Sequence, residues 1–133
     1  MAVHNYRAGI GSVGSYQVSG IPWLTGSTGL AGGGEDKIVF PSVAKAVTVI
    51  NTDPSGDDDL RVHFNTSSAG AVQFGHHYVT LKDSKDSITF TMKCKEIYIS
   101  NPGTGNSAYE VIAELTGIDK KEMFELTGSG LTD

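Results

Sequence analysis

The sequence has a single cysteine, Cys94, in 133 residues. No intrachain disulfide and no cysteine zinc site can therefore form. Cys94 lies in an apolar, strand-like stretch, where it reads as a small buried hydrophobe. A reactive thiol would need a base and an orienting group, and the surrounding sequence offers neither. Basic clusters are also missing. Net charge is −5, and the densest cationic spots are Lys120-Lys121 and the spaced pair Lys93 and Lys95. A nucleic-acid surface needs grouped Lys and Arg to neutralise phosphates, so a nucleic-acid partner is not expected. No stretch approaches the roughly 20 apolar residues of a membrane-spanning helix, and Met1 to Gly14 hold no apolar run of the length a signal peptide requires. The expectation is a protein made in a cytoplasm, without export by the usual route and without a membrane partner. Aromatics are sparse, at 8%.

Glycine is abundant. The chain has 17, and nine of them precede residue 35. That is nearly double the usual share. Residues 1–34 carry one charge, Arg7, and are rich in Gly and Ser, yet they hold Tyr6, Tyr16, Ile21, Trp23 and Leu24. A flexible linker would not carry so many large apolar groups, so they must pack on this domain or on a partner. On composition, residues 1–34 read as an N-terminal arm. Its candidate partner-binding residues are Tyr6, Arg7, Tyr16, Ile21, Trp23 and Leu24. Trp23, the only tryptophan, fits two roles: an interface anchor, or a cap on its own core.

From residue 35 the pattern becomes short β segments. Lys37 to Phe40 ends at Pro41. Val43, Val47 and Val49 lead to Ile50. Leu60, Val62 and Phe64 alternate with Arg61 and His63. Tyr78 to Leu81 follows, then Ile88, Phe90 and Met92, then Ile97 to Ile99. Last come Tyr109, Val111, Ala113 and Leu115, with Ile112 on the face otherwise given to Glu110 and Glu114. Turn clusters rich in Gly, Pro, Asn, Asp and Ser separate them: Asn51 to Asp59, Asn65 to Gly75, Asp83 to Asp86 and Asn101 to Asn106. Period-2 alternation with one polar face is antiparallel logic. The expected fold is all-β: an antiparallel, jelly-roll-like β-sandwich of about seven or eight strands over residues 35–118. Residues 119–133 read as a C-terminal tail, with a short helix over Lys120 to Leu126. Asp119 is its N-cap, and Glu122 stands at the capping-box position.

Chemical motifs do not assemble. Gly9 to Gly14 spell G-x-G-x-x-G, but no apolar strand precedes them and no helix follows, so the backbone that would hold a pyrophosphate is absent. Asp53, Asp57, Asp58 and Asp59 share a loop, but the EF-hand positions for Gly and Glu hold Asp58 and Phe64. His76 and His77 are adjacent and would point to opposite faces of a strand. No G-x-S-x-G elbow is present. The expectation is a non-enzymatic protein with no cofactor, no metal and no catalytic residues.

The order of pieces resembles a family of virion structural proteins from tailed bacteriophages, marine ones in particular. The resemblance rests on His4-Asn-Tyr-Arg7, on Val13-Gly-Ser-Tyr-Gln-Val-Ser-Gly20 running into Pro22 and Thr25-Gly26-Ser27, and on Phe40-Pro41 with the valine-rich strand after it. Arg61-Val-His-Phe64, Lys95-Glu-Ile-Tyr-Ile99 and Ala113-Glu-Leu-Thr-Gly-Ile118 complete it. It spans residues 4–118, and the segment after Ile118 departs from the family pattern. It implies a β-sandwich on the outside of a capsid, decorating or cementing the shell. Its partners would be the major capsid protein and its own copies in a homotrimer. A tail, collar or fibre component is the alternative, as is a glycan-binding module using Tyr78, Tyr98 and Tyr109 as stacking faces.

Overall fold

A computed structural model of the chain describes residues 9–10, 20–54, 59–66 and 77–123. Seven strands form: β1 (Ile21–Leu30), β2 (Glu35–Asn51), β3 (Leu60–His63), β4 (Val79–Leu81), β5 (Ser87–Phe90), β6 (Cys94–Ser100) and β7 (Ser107–Leu115). Every pairing is antiparallel. The order across the sheet is β1-β7-β2-β6-β3-β4, with β5 on β2 as well. The fold is therefore all-β, as the alternation required.

The long strand β2 organises the molecule. Its first half pairs with β6, and its second half pairs with β7 on one side and β5 on the other. Between Val39↔Glu96 and Ala44↔Cys94, the residues Phe40 to Val43 stand against Lys95 alone. This wide bulge bends the strand, so one sheet folds over itself and its two halves cover a common core. The bulge also inverts the inward face: Ile38 and Phe40 are buried before it, and Val47, Val49 and Asn51 after it. Pro41 sits inside the bulge, where its missing N–H breaks no ladder. Several polar groups of the bulge bond to the chain leaving β7. Val43 N donates to Ile118 O, Thr116 N and Thr116 Oγ1 donate to Val43 O, and Ser42 Oγ donates to Thr116 O.

One core joins both halves: Phe40, Val47 and Val49 of β2, Leu60 and Val62 of β3, Phe90 of β5, Ile97 and Ile99 of β6, and Val111 and Ala113 of β7. Polar pairs cross the same space. Tyr109 Oη of β7 donates to Asp36 Oδ2 of β2 at 2.7 Å, and Asn51 Nδ2 donates to Leu81 O at 3.1 Å.

Three expectations change. Ile21–Leu30 is not an arm: it is a strand laid along β7 from Ile21↔Leu115 to Leu30↔Ser107, ending in the buried Leu30. Backbone pairing holds it, which is why glycines and small polar residues suffice. The hairpin into β2 needs its glycines. Gly33 has φ +77°, and a Cβ on Gly32 would meet Gly103 O at 2.6 Å. Second, the segments on either side of Pro41 are one strand. Third, the expected helix is a single 3₁₀ turn, Lys120–Glu122. Asp119 does cap it, accepting from Lys121 N at 2.9 Å, while Met123 is extended and buried with Val43 and Ile118. The remainder of that expected helix lies outside the described residues. So do Val13 to Val18, where the sequence allows a strand.

Candidate docking surface

The period of β1 sorts its side chains. Trp23 turns inward and packs edge-on against Phe40, ring centroids 5.3 Å apart at 89°. Its neighbour Leu24 turns outward and is 70% exposed. Of the six arm residues, Ile21 and Leu24 stand on the surface, and Trp23 belongs to the core. The second role open to Trp23 is thus the one it fills. Tyr6, Arg7 and Tyr16 lie outside the described residues.

Register fixes what surrounds Leu24. It pairs with Ile112 of β7, Ile112 pairs with Thr48 of β2, and Thr48 pairs with Thr89 of β5. These four residues form a row across the outer face of one half of the sheet. Ile112 is 41% exposed, and the Thr48 and Thr89 hydroxyls bond to each other at 2.9 Å. Flanking rows place Pro22, Glu114 and Ala46 on one side, and Gly26, Glu110 and Ile50 on the other. The result is an apolar pair, Leu24 and Ile112, continued by two threonines, between two carboxylates. Beside the Glu114 row lies an open depression of about 590 Å3 lined by Lys45, Ala46, Thr91, Met92, Lys93 and Glu114.

The edge itself is unusual. β1 has ten residues and no charge. Exposed edges are commonly blunted by brevity, charge or proline. Among the described residues no strand pairs with the outer side of β1, and only Pro22 and the register shift between Ser27 and Leu30 interrupt it, whereas β4 and β5 have three and four residues.

Alternation at Glu110-Val111-Ile112-Ala113-Glu114 already marked Ile112 as an apolar group on a polar face. Met92 was not legible. The same alternation put it with Ile88 and Phe90, but β5 ends at Phe90, and Met92, in the break before β6, faces solvent.

The chemistry-bearing residues are engaged elsewhere. Burial pushes the Cys94 thiol up to about 12. Tyr109 is buried on Asp36, Tyr98 stacks on His63 with Lys37 over its ring, and Arg61 covers Tyr78 at 4.3 Å. Arg61 thus occupies one face of Tyr78 and His63 one face of Tyr98, and Tyr109 is buried. Among the described residues, no three His, Cys, Asp or Glu gather as a metal site. No protein-family model matches this chain, and no curated protein is similar to it.

Proposed function

We propose that this protein is a non-enzymatic structural subunit that docks on a protein lattice through β1 and the outer face it shares with β7. The observation that carries the reading is the exposed Leu24–Ile112 pair beside a ten-residue edge strand without charge. Apolar side chains beside a ladder that no described strand pairs favour a protein partner, because such a partner buries the side chains and satisfies the backbone together. The lattice proposed is the capsid of a tailed phage, as the resemblance implies. The subunit would sit on the outside of the shell, decorate or cement it, contact the major capsid protein, and act as a homotrimer at three-fold positions. A heterologous contact around such an axis closes at three.

The test is binding of the purified chain to capsids that lack it. Leu24→Asp combined with Ile112→Lys should leave the fold intact, since both side chains face solvent, and should abolish binding. Unchanged binding by a folded double variant would remove this face from the proposal. Counting copies in purified virions tests the location. Copies in proportion to the shell's own subunits fit decoration, and a handful would place the chain in a tail or collar.

A further inference from the structure

His63 ends β3, and its side chain has no exposure to solvent. Both ring nitrogens are engaged. Nδ1 lies 2.5 Å from Asn65 O, and Nε2 lies 2.9 Å from Ser100 Oγ. A carbonyl only accepts, so Nδ1 carries the proton; Nε2 is then bare and accepts from the Ser100 hydroxyl. The site is built for neutral imidazole.

The ring also closes a clasp. Residues 64–66 leave the sheet immediately after His63. They are held back by Asn65 O on His63 and by Thr66 Oγ1, which donates to Glu35 Oε2 at 3.2 Å. Just before these ties, Phe64 packs edge-on against Phe90 of β5 at 5.3 Å. Phe90 belongs to the other half of the folded sheet, so the clasp keeps an aromatic seal over the core between β3 and β5.

We propose that His63 is an acid-released latch: a second proton places a charge on a ring sealed from water, and opening of residues 64–66, with the Phe64–Phe90 seal, hydrates that charge. The proton must go to Nε2. The Ser100 hydroxyl then has to reverse from donor to acceptor, and a charge appears where no water reaches. The charged and titratable groups facing the ring come from three strands. Glu35 of β2 stands 3.8 Å from Nδ1 and favours the charge, but it is shared with Thr66. Lys37 of β2, one row along, is tied to Glu96 at 3.2 Å. Arg61 of β3 repels a charged ring, and Tyr98 of β6 stacks on it at 5.9 Å. Burial is the largest influence and lowers the pKa; Asn65 O and Glu35 raise it, Arg61 lowers it, and the net is below the ordinary 6.5. Because the folded state disfavours the proton, the unfolded or opened state binds it preferentially. Stability is then full above pH 6.5 and falls as pH drops below it.

Residue-resolved NMR on the full chain tests this, separating His63 from His4, His76 and His77. The His63 ring is expected to titrate below 6.5. Between pH 7.5 and 5.0, hydrogen-exchange protection of the amides at 64–66, corrected for intrinsic rates, should fall relative to those of β7. His63→Gln keeps a donor and should lose that pH dependence. If it does not fold, two further variants decide: Glu35→Gln should lower the His63 midpoint and Arg61→Gln should raise it. A midpoint at or above 6.5, shifts of the wrong sign in those variants, or the same acid-induced loss of protection in His63→Gln would overturn the latch.

Discussion

Trp23 and Leu24 are neighbours with opposite roles, and replacing each by alanine separates folding from docking. Trp23 is partly buried and meets Phe40 in a T-shaped contact. Removing a fully buried large aromatic costs about 3–5 kcal/mol. Trp23 is largely but not fully buried, which scales that to about 2–3 kcal/mol with the lost ring pair included. Trp23→Ala should therefore destabilise by about 2–3 kcal/mol, lowering Tm by roughly 6–12 °C. Leu24 is 70% exposed, so Leu24→Ala should change stability by less than about 0.5 kcal/mol while weakening attachment to the partner. Urea titration followed by far-UV circular dichroism is the right assay, because the chain has one tryptophan and the variant deletes it. Equal losses from the two variants, or none from Trp23→Ala, would refute the inward and outward sorting of β1. Removing residues 1–30 should for the same reason damage the sheet.

Two further outcomes follow from buried groups. Asn101 Nδ2 donates to Leu30 O at 3.0 Å and Gly105 O at 2.7 Å, while Oδ1 accepts from Gly103 N at 2.9 Å; Asn101→Ala should cost about 2–4 kcal/mol in a thermal melt, and a loss under about 1 kcal/mol would show these bonds are replaced by water. Cys94, pushed up to about 12 by burial, should resist a thiol reagent at pH 8 until urea unfolds the chain, since the native thiolate fraction is about one in ten thousand. Its folded value lies above the ordinary 9.0, so its contribution to stability is present below pH 9.0 and lost as pH rises toward 12. A reagent signal from folded protein, or no alkaline loss relative to Cys94→Ala, would contradict the burial.

Much of the sheet was written in local alternation. The inward residues of β3, β6 and β7 are those the period picked, down to the odd positions Tyr109, Val111, Ala113 and Leu115. A period-2 pattern survives translation into structure because a strand projects successive side chains to opposite faces whatever its partners are. β1 was missed because its stability comes from backbone bonding to β7, a contact 90 positions away at Trp23↔Ala113 that leaves no hydrophobic period in Thr25-Gly26-Ser27. Of the candidate surface, Ile112 was legible as a breach of pattern. Its pairing with Leu24 was not, since register is a property of two strands.

Local chemistry alone determined that this chain would be a cysteine-poor, turn-punctuated antiparallel β protein with an apolar group out of place on its last strand. Tertiary structure decided the rest. The bulge at Phe40 to Val43 turned two apparent strands into one bent strand and reversed which residues face the core, because extra residues opposite Lys95 shift the side-chain phase. It also decided that Trp23 packs on the core, that Leu24 and Ile112 meet, and that His63, on a polar face by sequence, is buried in contact with Asn65, Ser100 and Tyr98. Burial and charge environment depend on which distant segments arrive at one place, and a linear pattern does not record that.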